Sequence, residues 1–175
     1  MFEMNDKKLV PDFDSGSSEG RKLAIICSKG NLDMAYPGLI LGNAALGEGV
    51  ETHLFFTFWG FDMIIKSRAE NLQFSPAGNT ALHIPGTDLH MPQAFAPAMT
   101  GMATGMLKKQ LEQLQIPPVP DFLDQITAAG GHLWACRLSA DMNKVDEHDL
   151  REDVEGIISA SDFIEMTDGA QLLFI

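Results

Sequence analysis

The sequence has little of what several protein classes require. Two cysteines, Cys27 and Cys136, are too few for a disulfide-stapled secreted domain. The opening residues set Asp6, Asp12, Asp14 and Glu19 among glycine and serine, too polar for the apolar stretch of a signal peptide. The expectation is a cytoplasmic, reducing setting and a disordered leader over residues 1–20. Basic residues are scarce too. Twelve Lys and Arg stand against 24 Asp and Glu, and Lys7-Lys8, Arg21-Lys22 and Lys108-Lys109 are isolated pairs. A net charge of −12 therefore repels a phosphate backbone, and no nucleic-acid partner is expected. A long hydrophobic run is also missing. Residues 89–107 carry no Asp, Glu, Lys or Arg, but Pro92, Gln93, Pro97, Gly101 and Gly105 interrupt them. The helix-compatible part falls well short of the ~20 apolar residues that a membrane span needs.

What is present is an ordinary globular composition, 45% hydrophobic and 21% charged, in a chain long enough for one core. A single α/β domain over residues 21–175 is expected. Leu23, Ala24, Ile25 and Ile26 form the short continuous apolar run of a strand covered on both faces. Leu32, Ala35, Leu39, Gly42 and Leu46 follow at helical spacing, with Asp33 in the first turn and Gly47 and Gly49 at the end. A β-branched and aromatic stretch over 50–58 completes a βαβ unit. Residues 59–68 read as a short helix, and the proline-rich stretch 69–97 as a long loop of the kind that is more often functional than idle. Helices are predicted over 99–115, 120–129, 146–159 and 161–166, and strands over 132–136 and 171–175. This alternation points to a three-layer, doubly wound α/β/α fold around a mostly parallel sheet of four or five strands.

In such a sheet, reactive groups gather beyond the carboxyl ends of the strands, where both cysteines fall. Cys136 has the stronger case. A helix beginning at Leu138 would aim unpaired N–H groups at its sulfur, and Arg137 would add positive charge, with Asp141 opposing it only if turned inward. A free cysteine also serves as a small buried hydrophobe, so position alone leaves both roles open. Cys27 follows Ile25-Ile26 and reads as a core residue, although it could exchange with Cys136 if their strands were neighbours. Ser28, Gly30 and Asn31, between strand and helix, are anion-binding candidates, but they lack the dinucleotide and P-loop spacings. Met91, Met99, Met102 and Met106, with His83 and His90 nearby, offer soft ligands for Cu(I). Gly101 and Gly105 instead favour close packing of an apolar face, and His132 reads as structural, so no metal and no cofactor are expected.

Four ordered motifs then resemble one family over nearly the whole chain after residue 20. They are Ser28-Lys29-Gly30-Asn31-Leu32-Asp33-Met34-Ala35-Tyr36-Pro37, Phe55-Phe56-Thr57-Phe58-Trp59-Gly60, Met99-Thr100-Gly101-Met102-Ala103-Thr104, and Ala135-Cys136 with Ser139 and Asp141. The sequence resembles the DsrE/DsrF/DsrH-like proteins, in particular the DsrE2 branch that often carries a peroxiredoxin-like label. The resemblance implies a parallel-sheet fold, oligomeric assembly, and sulfane sulfur carried as a persulfide on the cysteine after the fourth strand. By position that cysteine is Cys136; Arg137, Ser139 and Cys27 are auxiliary candidates, but no family role passes to Cys27, which stands where the family has a small or apolar residue. The branch usually continues Gln-Met-Ser-Met after this cysteine, whereas here Arg137-Leu138-Ser139-Ala140 follows.

Three functions can be set against one another. The first is a sulfurtransferase-like carrier that takes sulfur, as a persulfide or thiosulfonate, from a donor protein or small sulfur compound and hands it to an acceptor thiol. It calls for a partly exposed, reactive Cys136 and a homo-oligomer. The second is a non-catalytic oligomeric or peripherally membrane-associated scaffold working through residues 75–106. The third, a thiol peroxidase, ranks last because no Thr-x-x-Cys pattern surrounds Cys136.

Overall fold

The computed structural model describes residues 20–75 and 99–175. Along the chain run β1 (Lys22–Cys27), α1 (Leu32–Gly47), β2 (Glu51–Phe56), two 3-10 turns (Phe58–Ile64 and Ala69–Asn71), α2 (Thr100–Gln113) and α3 (Val119–Ala128). Then come β3 (His132–Cys136), α4 (Arg137–Asn143), β4 (Val154–Ile158), α5 (Ala160–Met166) and β5 (Gln171–Phe174). The five strands form one sheet in the order β4-β3-β2-β1-β5, and every pairing is parallel.

That order explains the layering. From β1 to β4 each crossover steps the same way across the sheet, and right-handed crossovers then put their helices on one face. Only the last connection, through α5, runs back across the sheet to β5, so α5 lies on the opposite face. The larger core follows suit: Ile25, Leu54, Phe56, Leu133 and Ala135 face α1 and α3 through Leu39, Leu123 and Ile126. Alternate residues of the same strands, Ala24, Phe55 and Cys136, meet Phe163 of α5 on the other side. Phe55 and Phe163 stack with ring centroids 4.6 Å apart.

The α/β class, the parallel sheet and its upper limit of five strands agree with the sequence. Four details differ. The helix expected over 146–159 is an acidic turn followed by β4. Asp146 and Asp149 side chains accept backbone N–H groups there, a local alternative to helix, and Ile157 and Ile158 pair with β3. Residues 59–68 form 3-10 turns rather than a regular helix, and the strand from residue 50 stops at Phe56. Cys136 ends the third strand in chain order, not the fourth. The leader up to residue 19, most of the proline-rich stretch, and His83, His90 and Met91 lie outside the described residues. Of the methionine face, Met102 and Met106 are exposed, and the faces of Gly101 and Gly105 are open. Among the described residues, no helix is long and apolar enough to cross a membrane, and no group of three His, Cys, Asp or Glu is placed to hold a metal ion.

Candidate functional site

Cys136 closes β3 and is the N-cap of α4, with extended backbone at φ −73° and ψ 122°. This places its sulfur at the free amides of a helix start, as the sequence predicts. Burial beneath Phe55 and Phe163 pushes the thiol up, but the hydroxyl of Thr57, the N–H and hydroxyl of Ser139 and the N–H of Leu138 together outweigh it, and the thiol is held below its ordinary range. Hydrogen bonds alone do this. Arg137, expected to supply charge, donates instead to the Ile157 carbonyl at 2.6 Å, and Asp141 is exposed. Cys136 as a residue is also more covered than expected, at 5% exposure. What lies open is its surround: Phe58, Trp59, Leu138 and Met142 are 49–67% exposed.

Ser139 is buried and holds two parts of the site together. Its hydroxyl oxygen accepts the N–H of Phe58 at 2.7 Å and lies 3.3 Å from the Thr57 hydroxyl. With an acceptor site occupied by Phe58, its hydroxyl still has a proton to share between the Thr57 hydroxyl and the sulfur. Phe58 has φ 47°, the left-handed region that a bulky residue enters only under constraint. The constraint comes from β1. Thr57 donates its N–H to the Cys27 carbonyl at 3.0 Å, and Gly60 packs so tightly on that carbonyl that an added Cβ would fall 2.1 Å from the oxygen. Gly30 meets the Trp59 carbonyl just as closely. Glycine at both positions allows the loops after β1 and β2 to lie backbone against backbone, and this positions Thr57 and Phe58.

Cys27 is unlike Cys136. It faces the α1 side, beneath Gly38, and burial drives its thiol up to about 12. β2 separates the strands of the two cysteines, and their sulfurs belong to opposite faces of the sheet. Two strand spacings put their Cα atoms roughly 10 Å apart, beyond the ~7 Å limit for a disulfide, so direct exchange between them has no geometry. The anion-binding candidates also turn inward. Ser28 gives both its N–H and its hydroxyl to the Ile175 carbonyl, Gly30 is wedged on Trp59, and the Asn31 side chain donates to Asp33. The first amide of α1, on Leu32, is taken by the Gln73 carbonyl.

Thr57 was not singled out from the sequence as a site residue. Its signal is position alone: it follows β2, and β2 neighbours β3, so its hydroxyl comes level with the residue after Ala135.

Fold and site together define a class: an open, all-parallel α/β protein with one hydrogen-bonded thiol at the carboxyl end of its sheet, on the first residue of a helix. The family model for the DsrE/DsrF/DrsH-like family matches residues 19–174, and the chain belongs to that family. The chain is 33% identical over 140 residues to the sulfur carrier protein DsrE2 of Allochromatium vinosum, covering 78% of this chain and 87% of that protein. It is 22% identical over 169 residues to the uncharacterized protein YrkE of Bacillus subtilis, covering 91% and 99%. Among solved structures, the crystal structure of the ychN protein from E. coli has the same fold, with a TM-score of 0.55 at 12% identity over 89% of this chain and 99% of that one.

Proposed function

We propose that this protein is a sulfur carrier that loads and unloads sulfane sulfur on Cys136. The observation that carries the reading is the thiol's place at a helix start, where four donors hold it below its ordinary range against the effect of burial. The Allochromatium relative, named a sulfur carrier protein, supports the same chemistry.

In loading, the Cys136 thiolate attacks the outer sulfur of a donor persulfide. A new S–S bond forms on Cys136, the donor's S–S bond breaks, and the donor leaves as a thiolate. An acceptor thiolate then attacks the terminal sulfur, becomes the persulfide, and returns Cys136 to its thiolate. No net oxidation occurs. With a polythionate donor the same attack leaves a thiosulfonate on Cys136 and expels thiosulfate or its homologue. The amides of Leu138 and Ser139 and the hydroxyls of Thr57 and Ser139 stabilise the negative sulfur that begins and ends each cycle. The partners are sulfur-donor and sulfur-acceptor proteins or small sulfur compounds. The working form is a cytoplasmic homo-oligomer.

Intact-protein mass spectrometry after exposure to polysulfide, tetrathionate or glutathione persulfide tests this. A sulfur-sized or thiosulfonate adduct present in the starting protein and in Cys27→Ser, and absent in Cys136→Ser, is the expected result. No adduct from any donor, or one that follows Cys27, would overturn it.

A further inference from the structure

α4 aims two amides at Cys136, yet little of its own length holds it there. It has seven residues, about two turns, and a helix that short is not stable by itself in water. Packing supplies little. Its large apolar side chains, Leu138 and Met142, are more than half exposed, and only Ser139 and Ala140 are buried. Polar ties therefore carry much of its position. Two are evident at the thiol site: Arg137 reaches the Ile157 carbonyl of β4, and the Ser139 hydroxyl accepts the Phe58 N–H. Both lie in the first turn of the helix.

A third tie holds the last turn. The Asn143 side chain folds back on the helix and donates through Nδ2 to the Ser139 carbonyl at 2.8 Å, while its Oδ1 accepts from Arg68 Nη1 at 2.9 Å. The same Nη1 donates to Asp62 at 2.7 Å. One guanidinium NH2 group has two protons, so one serves each acceptor. Asp62 belongs to the 3-10 turn that opens with Phe58, and Asn143 ends the helix that Cys136 caps. Turn and helix are thus joined at both ends: Phe58 to Ser139 beside the thiol, and Asp62 through Arg68 to Asn143 at the far side.

The chain after the turn sets Arg68 in place. Ile65 pairs with Leu150 in an antiparallel bridge, Lys66 donates its N–H to the Asp149 carbonyl, and Arg151 donates its N–H to the Ile64 carbonyl. Ile64 and Ile65 are buried, and the Arg68 N–H bonds back to the Ile65 carbonyl, which fixes where the side chain starts.

We infer that Arg68 and Asn143 are positioning residues for Cys136: with Asp62 they clamp the far end of α4 to the turn after β2, which keeps the Leu138 and Ser139 amides and the Thr57 hydroxyl on the sulfur. Neither is among the groups that hydrogen-bond the thiol. Without the clamp α4 is tied only at its first turn and swings about that point, and hydrogen bonds weaken steeply as their angles open. The Arg68 and Asp62 side chains are 43% and 37% exposed and neutralise each other, so the effect runs through geometry rather than through the field of the guanidinium. The inference rests on Cys136 being the working thiol, but not on which sulfur compound it takes.

The pH dependence of Cys136 alkylation by iodoacetamide tests it on the full chain, with the labelled cysteine identified by peptide mass and circular dichroism as the folding control. Arg68→Met keeps the apolar stem and removes both donors, and Asn143→Ala removes the other half of the clamp, so one folded variant suffices. Each is expected to raise the pH midpoint of the reaction and to slow it roughly two- to fivefold at neutral pH, the scale of one partly exposed polar tie. The double variant should be no slower than the slower single one, because both break the same clamp. Arg68→Lys, whose ammonium can donate to both Asp62 and Asn143, should return the midpoint towards the wild type. Lys22→Ala breaks an ion pair with Glu51 at the other end of the sheet and should leave the midpoint where it is, which separates positioning from a general loss of stability. A midpoint unmoved in both Arg68→Met and Asn143→Ala, or moved equally by Lys22→Ala, would overturn the inference. Sulfur loading of the same variants, read by intact mass, is a separate measurement. A raised midpoint supports the clamp even where no donor loads the protein, and that failure would count against the carrier reading alone.

Discussion

Cys27 and Cys136 form a controlled comparison within one molecule. Each ends a parallel strand, each precedes a helix, and their exposures are nearly equal at 4% and 5%. Yet one thiol is driven up to about 12 and the other is held below its ordinary range. Surface exposure therefore does not separate them, but depth does: Cys27 lies in the deep interior with burial alone acting on its thiol, and Cys136 lies nearer the surface. The second difference is the distance from strand to helix. Cys136 is itself the N-cap of α4, so the Leu138 and Ser139 amides reach its sulfur. Four residues, Ser28 to Asn31, intervene between Cys27 and α1, and what its sulfur meets is Gly38 in the middle of the helix. A parallel sheet offers several strand ends, and only one where the helix starts at once, with a neighbouring strand supplying hydroxyls, makes a thiolate site.

The largest expected effect breaks the comparison outright. Cys136→Ser should abolish sulfur loading, whereas Cys27→Ser should load to the wild-type extent, as read by intact mass. The next depends on pH. Iodoacetamide should label the native protein once at neutral pH, on Cys136, with a rate that levels off below the ~8.5 of an ordinary thiol. Cys27 should be labelled only after unfolding. Stability should respond with opposite signs. The raised thiol of Cys27 favours the folded state fully below the ordinary thiol value, and that contribution is lost as pH rises towards about 12. Across this window stability should fall by up to roughly 1.4 kcal/mol per pH unit, a slope that Cys27→Ala removes, as measured by urea unfolding from pH 8 to 11. The lowered thiol of Cys136 stabilises the folded state above the ordinary value, and its contribution is lost as pH falls through its own.

Much of the fold was legible because buried parallel strands announce themselves as short apolar runs, as at Leu23 to Ile26. β4 was hidden behind eight mostly acidic residues. Its five residues include Glu155 and Gly156, and they become a strand by pairing with β3 rather than by local preference. At the site, the start of α4 after Cys136 could be read from the chain, because a strand running directly into a helix is a local event. The roles of Thr57 and of the Gly30 and Gly60 lock could not, because they depend on β2 lying between β1 and β3, and strand order is not written in any one segment. The same order removes the contact imagined between the two thiols.

The smaller effects sharpen the comparison by making Cys136 more like Cys27, one donor at a time. Ser139→Ala removes a hydroxyl from the sulfur and leaves the Phe58 N–H without its acceptor. A hydrogen bond to a charged group is worth about 1.5 kcal/mol or more, so alkylation at neutral pH should slow roughly tenfold, and the unpaired amide should cost a further 1–3 kcal/mol of stability. Thr57→Val keeps the shape of the side chain and the Phe58 contact and removes only the second hydroxyl. Its effect on alkylation should be smaller, roughly two- to fivefold, with little loss of stability. If the two variants slowed alkylation equally and destabilised the protein equally, Ser139 would be doing no more than Thr57. If Thr57→Val left the rate unchanged, the hydroxyl from β2 would be packing beside the thiol rather than holding its charge. The amides of α4 and the Ser139 hydroxyl would then account for all the donor stabilisation that Cys136 has and Cys27 lacks.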